Sequence, residues 1–499
     1  MNVPSTFRLN HATFDFGNEH PVQVDFIADQ ESKASKSTHF TLLMGPNGTC
    51  KSRILSCCIN LLKGIEERER SGTSRKEQRP LRSDETDRDL RCDSATLVRD
   101  GVSSAVGHGK LNDHDTVLPS RVLAVANLVH DRFTFADWET SDNPFYYYLG
   151  VRQASNLTTT GAMGRRVCDA VLKLLGDEDK YSYLSKWTRT LFPCSELGLV
   201  FPDLSQKAFD QFLEQPEAWI RRRTGSPRPE EFYVRVLNEI QAHIPDIVRL
   251  RALIEENGQS SDDSGSLGMR RGRTFTLCLD RLSHEVRFHL GRLNHALRLA
   301  SSVHLLGRPS LVINSRKWLD FMQLSSGEQN LIATGARLFA FAVPGSLIVI
   351  DEPEVSLNIA WQQRYIDLIS QALVHAKGSH VIIASHSPYL VSDLRAENST
   401  VVVIERSTEG LKFRSHPGEF WGWGSEAILY EILGLPSASN YHFSRELAGV
   451  LKLVSEKSTD AERFAKFLRK CDQLDFGAQA QPLRVVIKEI RNYAGGLQT

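Results

Sequence analysis

No excess of charge runs through the 499 residues. Sixty Lys and Arg meet sixty Asp and Glu, so no global basic field exists to hold nucleic acid through its phosphates, and any such contact must be local. Cysteine is sparse: of eight residues only Cys57 and Cys58 are adjacent, and no Cys-x-x-Cys pair of the zinc or redox type occurs. That usage fits a reducing compartment, so a cytoplasmic location is expected. Long apolar runs are also missing. Stretches such as Leu347–Ile350 fall far short of the ~20 residues of a membrane span, and Met1–Asn10 carries no basic segment leading into an apolar one. Neither secretion nor membrane insertion is expected. No repeat of fixed period appears, which excludes a solenoid. What is present, 41% hydrophobic and 24% charged residues, describes a globular chain with room for one large domain with insertions or for two to three ordinary ones.

The chain opens with alternating strand patterns at Phe7, Leu9, Phe14 and Phe16 and at Val22, Val24 and Phe26. A short apolar run, His39–Met44, then stops at Gly45. It is followed by apolar residues at helical spacing from Ile54 to Ile65, which gives the order strand, Gly-rich loop, helix. Residues 66–115 turn charged and poor in apolar positions and read as an exposed, partly disordered insertion. A buried strand is expected at 121–127. Residues 143–313 carry helical patterns at 209–220, 229–257 and 282–299, broken by a polar linker at 258–268, and read as a mainly helical insertion domain. Strand signals return at 346–350, 380–384 and 400–404 with a helix between the first two, which argues for a buried parallel sheet. The organisation expected is therefore a head built from 1–142 and 314–424, the insertion at 143–313, and a C-terminal helical region, 425–499, for partner or oligomer contacts. The fold class is α/β.

Gly45, Pro46, Asn47, Gly48, Thr49, Cys50, Lys51 and Ser52 lie where the buried strand turns into a helix, the frame a phosphate-cradling loop requires. In such a loop successive N–H groups wrap the phosphates of ATP, Lys51 reaches the β and γ oxygens, and the Ser52 hydroxyl ligates Mg2+. The glycine expected before the lysine is replaced by Cys50. Either its Cβ crowds the nucleotide and slows hydrolysis, or the loop accepts a small side chain. The apolar run 346–350 ends in Asp351, placed to hold Mg2+ through water, and Glu352, placed as general base. Ser325, Ser326, Gly327 and Glu328 open a helix whose small-residue start offers free N–H groups to an anion.

Together these motifs resemble the ABC-type ATPases. The resemblance implies that Ser325–Glu328 is the signature that completes a site on a second subunit, and that Ser356, Leu357 and Asn358 form the D-loop at that dimer interface. It implies further that His386 contacts the γ-phosphate; at the place of the glutamine loop stand Asn127 and Asp131, with no Gln, and the role is carried to Asn127. The long separation of Lys51 from Ser325 resembles the RecF/SMC-like and OLD-like branch. Residues 351–357, 385–390, 318–328 and 421–429 look like bacterial defence ATPases, above all the PtuA-type ATPases of Septu and retron systems. That implies a homodimer or higher oligomer through the heads, acting as sensor or scaffold for a separate nuclease effector. The alternative is a RecF/SMC-like repair or chromosome ATPase that clamps DNA. No nuclease of its own is expected, because Asp472 and Asp475 on a helical stretch with Glu405 do not make the Asp-x-Asp pattern that a TOPRIM domain needs. Arg221–Arg223 and Arg270–Arg273 are basic clusters that either meet DNA or RNA or merely solvate a face. Phe145–Tyr148 reads as packing in preference to base stacking.

Overall fold

Alternating apolar residues form strand β1 (Phe7–Asp15), which pairs antiparallel with β2 (Val22–Asp25). Strand β3 (His39–Met44) is buried along its whole length, and its continuous apolar run marks a strand covered on both faces. It leads through Gly45–Cys50 into helix α1 (Lys51–Ser71). The structure, a computed structural model, describes residues 5–17, 21–28, 36–71, 90–107, 110–111, 117–128, 131–135, 144–152, 161–202, 206–223, 230–261, 274–392, 394–407, 410–418, 420, 428, 441–472 and 481–496. Among the expectations above, the cluster at Arg270–Arg273, most of 421–429 and parts of 66–115 and 258–268 lie outside these residues.

Residues 90–111 depart from the expected exposed insertion. They form β4 (Arg91–Arg99), β5 (Val102–Gly107) and β6 (Lys110–Leu111), a meander on the free side of β1 that gives an antiparallel sheet ordered β2-β1-β4-β5-β6. Cys92, Ala95 and Leu97 turn inward into the same core as Phe7, Phe14, Ile54 and Leu62. Next come β7 (Val122–Ala126) and the short edge strand β8 (Tyr146–Tyr148), whose three tyrosines are buried.

The segment that follows is also more than helical. It holds α2 (Ala162–Leu174), α3 (Glu178–Leu191), β9 (Glu196–Pro202), α4 (Gln206–Glu214), α5 (Pro216–Arg223), α6 (Glu230–Asn257), β10 (Gln259–Ser261), β11 (Thr274–Cys278), α7 (His284–Arg292), α8 (Asn294–Ser302) and β12 (Ser310–Asn314). Most of its described residues are helical, and with β13 (Trp318–Asp320) its strands add a second antiparallel sheet ordered β10-β11-β9-β12-β13 that the sequence patterns do not announce. Each strand is short, so its apolar run is indistinguishable from a buried helix turn by periodicity.

The chain returns through α9 (Ser326–Phe341), β14 (Leu347–Asp351), α10 (Ile359–Gln363), α11 (Tyr365–Ala372), β15 (His380–Ser385), β16 (Ser399–Ser407) and β17 (Gly410–Pro417). The central sheet is ordered β17-β16-β3-β15-β14-β7-β8 and is parallel except for the edge hairpin β16–β17. Contacts divide the chain into Met1–Gly422 and Trp423–Thr499. The second unit carries α12 (Tyr441–Ser455), α13 (Ala461–Asp472) and α14 (Gln481–Gly496) around a small core of Val450, Phe464, Phe467, Ile487 and Ile490. Among the described residues, no helix is long and apolar enough to cross a membrane.

Candidate functional site

Parallel pairing brings four strand ends to one edge. Ser385 sits opposite Met44, Asp351 opposite Ala384, and Ala126 opposite Asp351. The loop after β3, the carboxylates after β14, His386 and Asn127 therefore emerge side by side at the carboxyl edge, where open α/β sheets bind ligands.

Within the loop, the Lys51 ammonium donates to the carbonyls of Gly45 (2.8 Å) and Pro46 (3.1 Å) and reaches Nδ1 of His386 at 3.3 Å. Burial pushes its pKa down to about 8 against the pull of Glu352, Glu354 and Asp351. Because Nδ1 of His386 accepts from Lys51, the ring proton belongs on Nε2, which lies 3.6 Å from Oε1 of Glu352. Burial and the neighbouring Lys51 lower the His386 pKa, keeping the imidazole neutral. The Ser52 hydroxyl donates to Oδ1 of Asp351 at 2.9 Å. Burial raises the Asp351 carboxyl to about 7, the Ser52 hydrogen bond opposes that shift, and the carboxylates of Glu352, Asp131 and Glu354 add to it. The Thr49 hydroxyl donates to the Pro46 carbonyl at 2.8 Å and closes the loop on itself. Arg406 on β16 holds the Gly48 carbonyl at 3.1 Å.

Around the phosphate loop and the carboxylates two non-glycine positions are left-handed. Cys50 has φ 62° and Glu352 φ 47°. The thiol of Cys50 packs against the hydrophobic core and lies 3.9 Å from Nη1 of Arg53. Asn127 stands one residue beyond the Ala126–Asp351 pair, and its buried Oδ1 has no hydrogen-bond partner among the described residues.

Ser325 caps α9, and the cap is reciprocal: the Ser325 N–H donates to the Glu328 carboxylate at 2.8 Å and the Glu328 N–H to the Ser325 hydroxyl at 3.4 Å. A Cβ at Gly327 would lie 2.6 Å from the Ser356 carbonyl, so only glycine lets the helix start approach the turn at Ser356–Asn358 this closely. Ser356 is itself left-handed at φ 70°, Asn330 donates to the Val355 carbonyl at 3.2 Å, and Asn358 caps α10. The structure thus joins Ser325–Glu328 to Ser356–Asn358. Among the described residues no hydrogen bond links that pair of segments to Gly45–Ser52.

Two further carboxylates hold the site: Glu354, to which sequence reasoning gave no role, and Asp131, which it placed with Asn127 at the glutamine-loop position. Glu354 accepts the His386 N–H at 2.6 Å and fixes where that histidine stands. Asp131, with no side-chain exposure, accepts from Tyr148 OH at 2.6 Å and from Arg152 at 2.5 Å, which ties the edge strand β8 to the site. Asp-Glu-Pro-Glu signalled the first, whereas the partners of Asp131 lie too far along the chain to be read. Of the basic clusters, Arg221 is engaged by Glu217 and Glu230, each at 3.1 Å.

Residues 150–392 match the family described as "AAA domain, putative AbiEii toxin, Type IV TA system". The Septu protein PtuA of Bacillus thuringiensis is 28% identical over 146 residues, covering 28% of this chain and 35% of PtuA, so the matched region spans about a third of that relative's length. Among solved structures, the Smc head domain with an extended coiled coil bound to the C-terminal domain of ScpA, from Pyrococcus furiosus, is 14% identical with a TM-score of 0.31, over 82% of this chain and 96% of that one. UvrA2 from Deinococcus radiodurans is also 14% identical, with a TM-score of 0.30, over 87% of this chain and 39% of that one. By its sheet order, its phosphate loop and the two sequence matches, the chain is similar to the ABC-type AAA ATPases, PtuA among them.

Proposed function

We propose that the chain binds ATP with Mg2+ along Gly45–Ser52 and hydrolyses it in nucleotide-dependent dimers, as the sensor or scaffold subunit of an antiphage defence complex that controls a separate nuclease. The observation that carries the ATPase reading is the relay Lys51–His386–Glu352 beside the Ser52–Asp351 hydrogen bond, all at the carboxyl edge of one sheet. Likeness to the Septu protein PtuA supports the defence role.

The residues present fit magnesium. Among those described, no group of three or more His, Cys, Asp or Glu stands ready to hold a metal unaided, and Mg2+ characteristically takes one or two protein oxygens and completes its shell with phosphate oxygens and water. Ser52 and Asp351 supply those oxygens, and the orphaned Oδ1 of Asn127 offers a further acceptor. Held by Ser52 and Asp351, the ion would supply neutralisation of the phosphate charge. Lys51 turns from its own loop carbonyls toward the phosphates. Glu352 accepts the proton of the attacking water, and neutral His386 offers its Nε2 proton to the γ-phosphate. Ser325–Glu328, joined to the Ser356–Asn358 turn rather than to the chain's own loop, serves a neighbour's nucleotide.

Light scattering tests this reading. Glu352→Gln keeps ATP bound without a base and should give a persistent ATP-dependent dimer, with phosphate release abolished; Lys51→Ala should give none. Equal dimerisation by both variants, with or without ATP, would sink the mechanism.

A further inference from the structure

Arg406 has no part in the chemistry set out above, yet it touches the phosphate loop. Strand β16 runs parallel to β3, with Val403 opposite Met44, and continues past it to Ser407, so its last residues flank the loop that follows β3. The loop lies directly on them: a Cβ at Gly45 would meet the Ile404 carbonyl at 2.6 Å, and only glycine lets the two backbones come this close. Arg406 pairs with Leu411 in the β16–β17 hairpin, which fixes where its side chain starts. Its Nη2 donates to the Gly48 carbonyl at 3.1 Å, and among the described residues the exposed guanidinium has no other hydrogen bond and no carboxylate partner. An uncompensated cation therefore sits at the tip of the loop.

That one bond decides which way a peptide faces. Gly48 is left-handed at φ 80°, and glycine visits both signs of φ at little cost, so the Gly48–Thr49 peptide can turn over. The peptide is trans and planar, so its C=O and its N–H point in opposite directions. With the carbonyl drawn toward Arg406 on β16, the Thr49 N–H points away from that strand. The carbonyls of Gly45 and Pro46 are held by Lys51, which leaves them when it turns to the phosphates. The bond from Arg406 does not depend on Lys51 and survives that turn.

We propose that Arg406 is a positioning residue for nucleotide binding: by holding the Gly48 carbonyl outward, it leaves the phosphates to meet the Thr49 N–H in place of a carbonyl oxygen that would repel them. The assignment rests on the ATP-binding reading of Gly45–Ser52.

MgATP affinity and turnover of the full chain test it in two variants. Arg406→Met keeps most of the length without a donor, and Arg406→Lys keeps a donor and the charge. Arg406→Met should raise the KM and the dissociation constant for MgATP about tenfold, the worth of one charge-assisted hydrogen bond, with kcat within about threefold of the parent. Arg406→Lys should recover most of that loss. The deficit should persist at high ionic strength, where a field effect between exposed charges is screened. Arg406→Ala replaces Arg406→Met should far-UV spectra show that variant unfolded. Parent-like affinity without the donor, a loss confined to kcat, no recovery with lysine, or a deficit that salt abolishes overturns the proposal. Lys51→Ala separates it from the reading beneath: if that variant binds MgATP as the parent does, the loop is no nucleotide site and both fall; if it loses MgATP while Arg406→Met binds normally, only the role of Arg406 falls.

Discussion

Cys50 sits at φ 62°, where its Cβ is too close to the following carbonyl, a conformation that costs an L-residue about 1–2 kcal/mol. Glycine escapes that cost but loses about 0.4–1 kcal/mol more on folding, because its unfolded chain is freer. The thiol adds packing of its own against the hydrophobic core. Comparing Cys50→Gly with Cys50→Ala cancels the thiol and isolates the backbone. The Gly variant should be the more stable by about 0.5 kcal/mol and by no more than about 1.5 kcal/mol. Cys50→Val, β-branched in the same conformation, should be the least stable of the three. Urea unfolding followed by tryptophan fluorescence reads these differences from the midpoints. An Ala variant more stable than the Gly variant by about 1 kcal/mol or more would show that no left-handed strain is stored here. The strain is present in the loop as it stands and the thiol lies against the core, so it should cancel from binding: MgATP affinity and turnover in Cys50→Gly should stay within about threefold of the parent. A tenfold tightening, about 1.4 kcal/mol, would mean that the Cβ meets the phosphates after all.

Burial holds His380 well below its ordinary pKa and His39 down to about 3, with Arg8 lowering both further. An unfolded histidine takes its proton near pH ~6.5, so the stability due to this pair is whole above that pH and is lost as pH falls, by about 4 kcal/mol for the two between pH ~6.5 and ~5. His380→Gln, which can still accept from the Leu9 N–H and donate to Thr41, should lower the acid slope by about 1.4 kcal/mol per pH unit in melting series; an unchanged slope would place the titration elsewhere. A Cβ at Gly335 would lie 2.5 Å from the Trp187 ring, so Gly335→Ala should cost about 1–3 kcal/mol, and the cost should shrink in a Trp187→Leu background. Gly327→Ala should force α9 off the Ser356 carbonyl and weaken the ATP-dependent dimer of Glu352→Gln, read by light scattering, without lowering nucleotide affinity.

The central sheet was legible because each parallel strand is buried on both faces and so reads as an unbroken apolar run: His39–Met44, Leu347–Asp351 and His380–Ser385 stand within a residue or two of where their sequences place them. The β4–β5 hairpin was not. Its inward residues Cys92 and Ala95 are three apart, because register shifts where β4 meets β1 break the period of two, and the outward positions include Arg91, Asp93, Ser94 and Thr96. In the segment after β8, β9 and β12 carry the same short apolar runs as the neighbouring helices, and only pairing across more than a hundred residues distinguishes them. At the candidate site, residues adjacent in sequence announced themselves, whereas Asp131 depends on Tyr148 and Arg152, and no local pattern records that dependence.

The position of β3 in the sheet has a consequence for how the protein is made. Its two neighbours, β15 and β16, begin about 340 and 360 positions after His39, so while β3 is already outside the ribosome both its edges stay unpaired. At about 5–20 residues per second, that interval is on the order of 20–70 s. Throughout it, the carboxyl edge that gathers Lys51, Asp351 and His386 is incomplete. On the function proposed above, a partly made head should therefore capture nucleotide poorly, and a message cut short before His380 should yield a protein with an exposed, aggregation-prone strand.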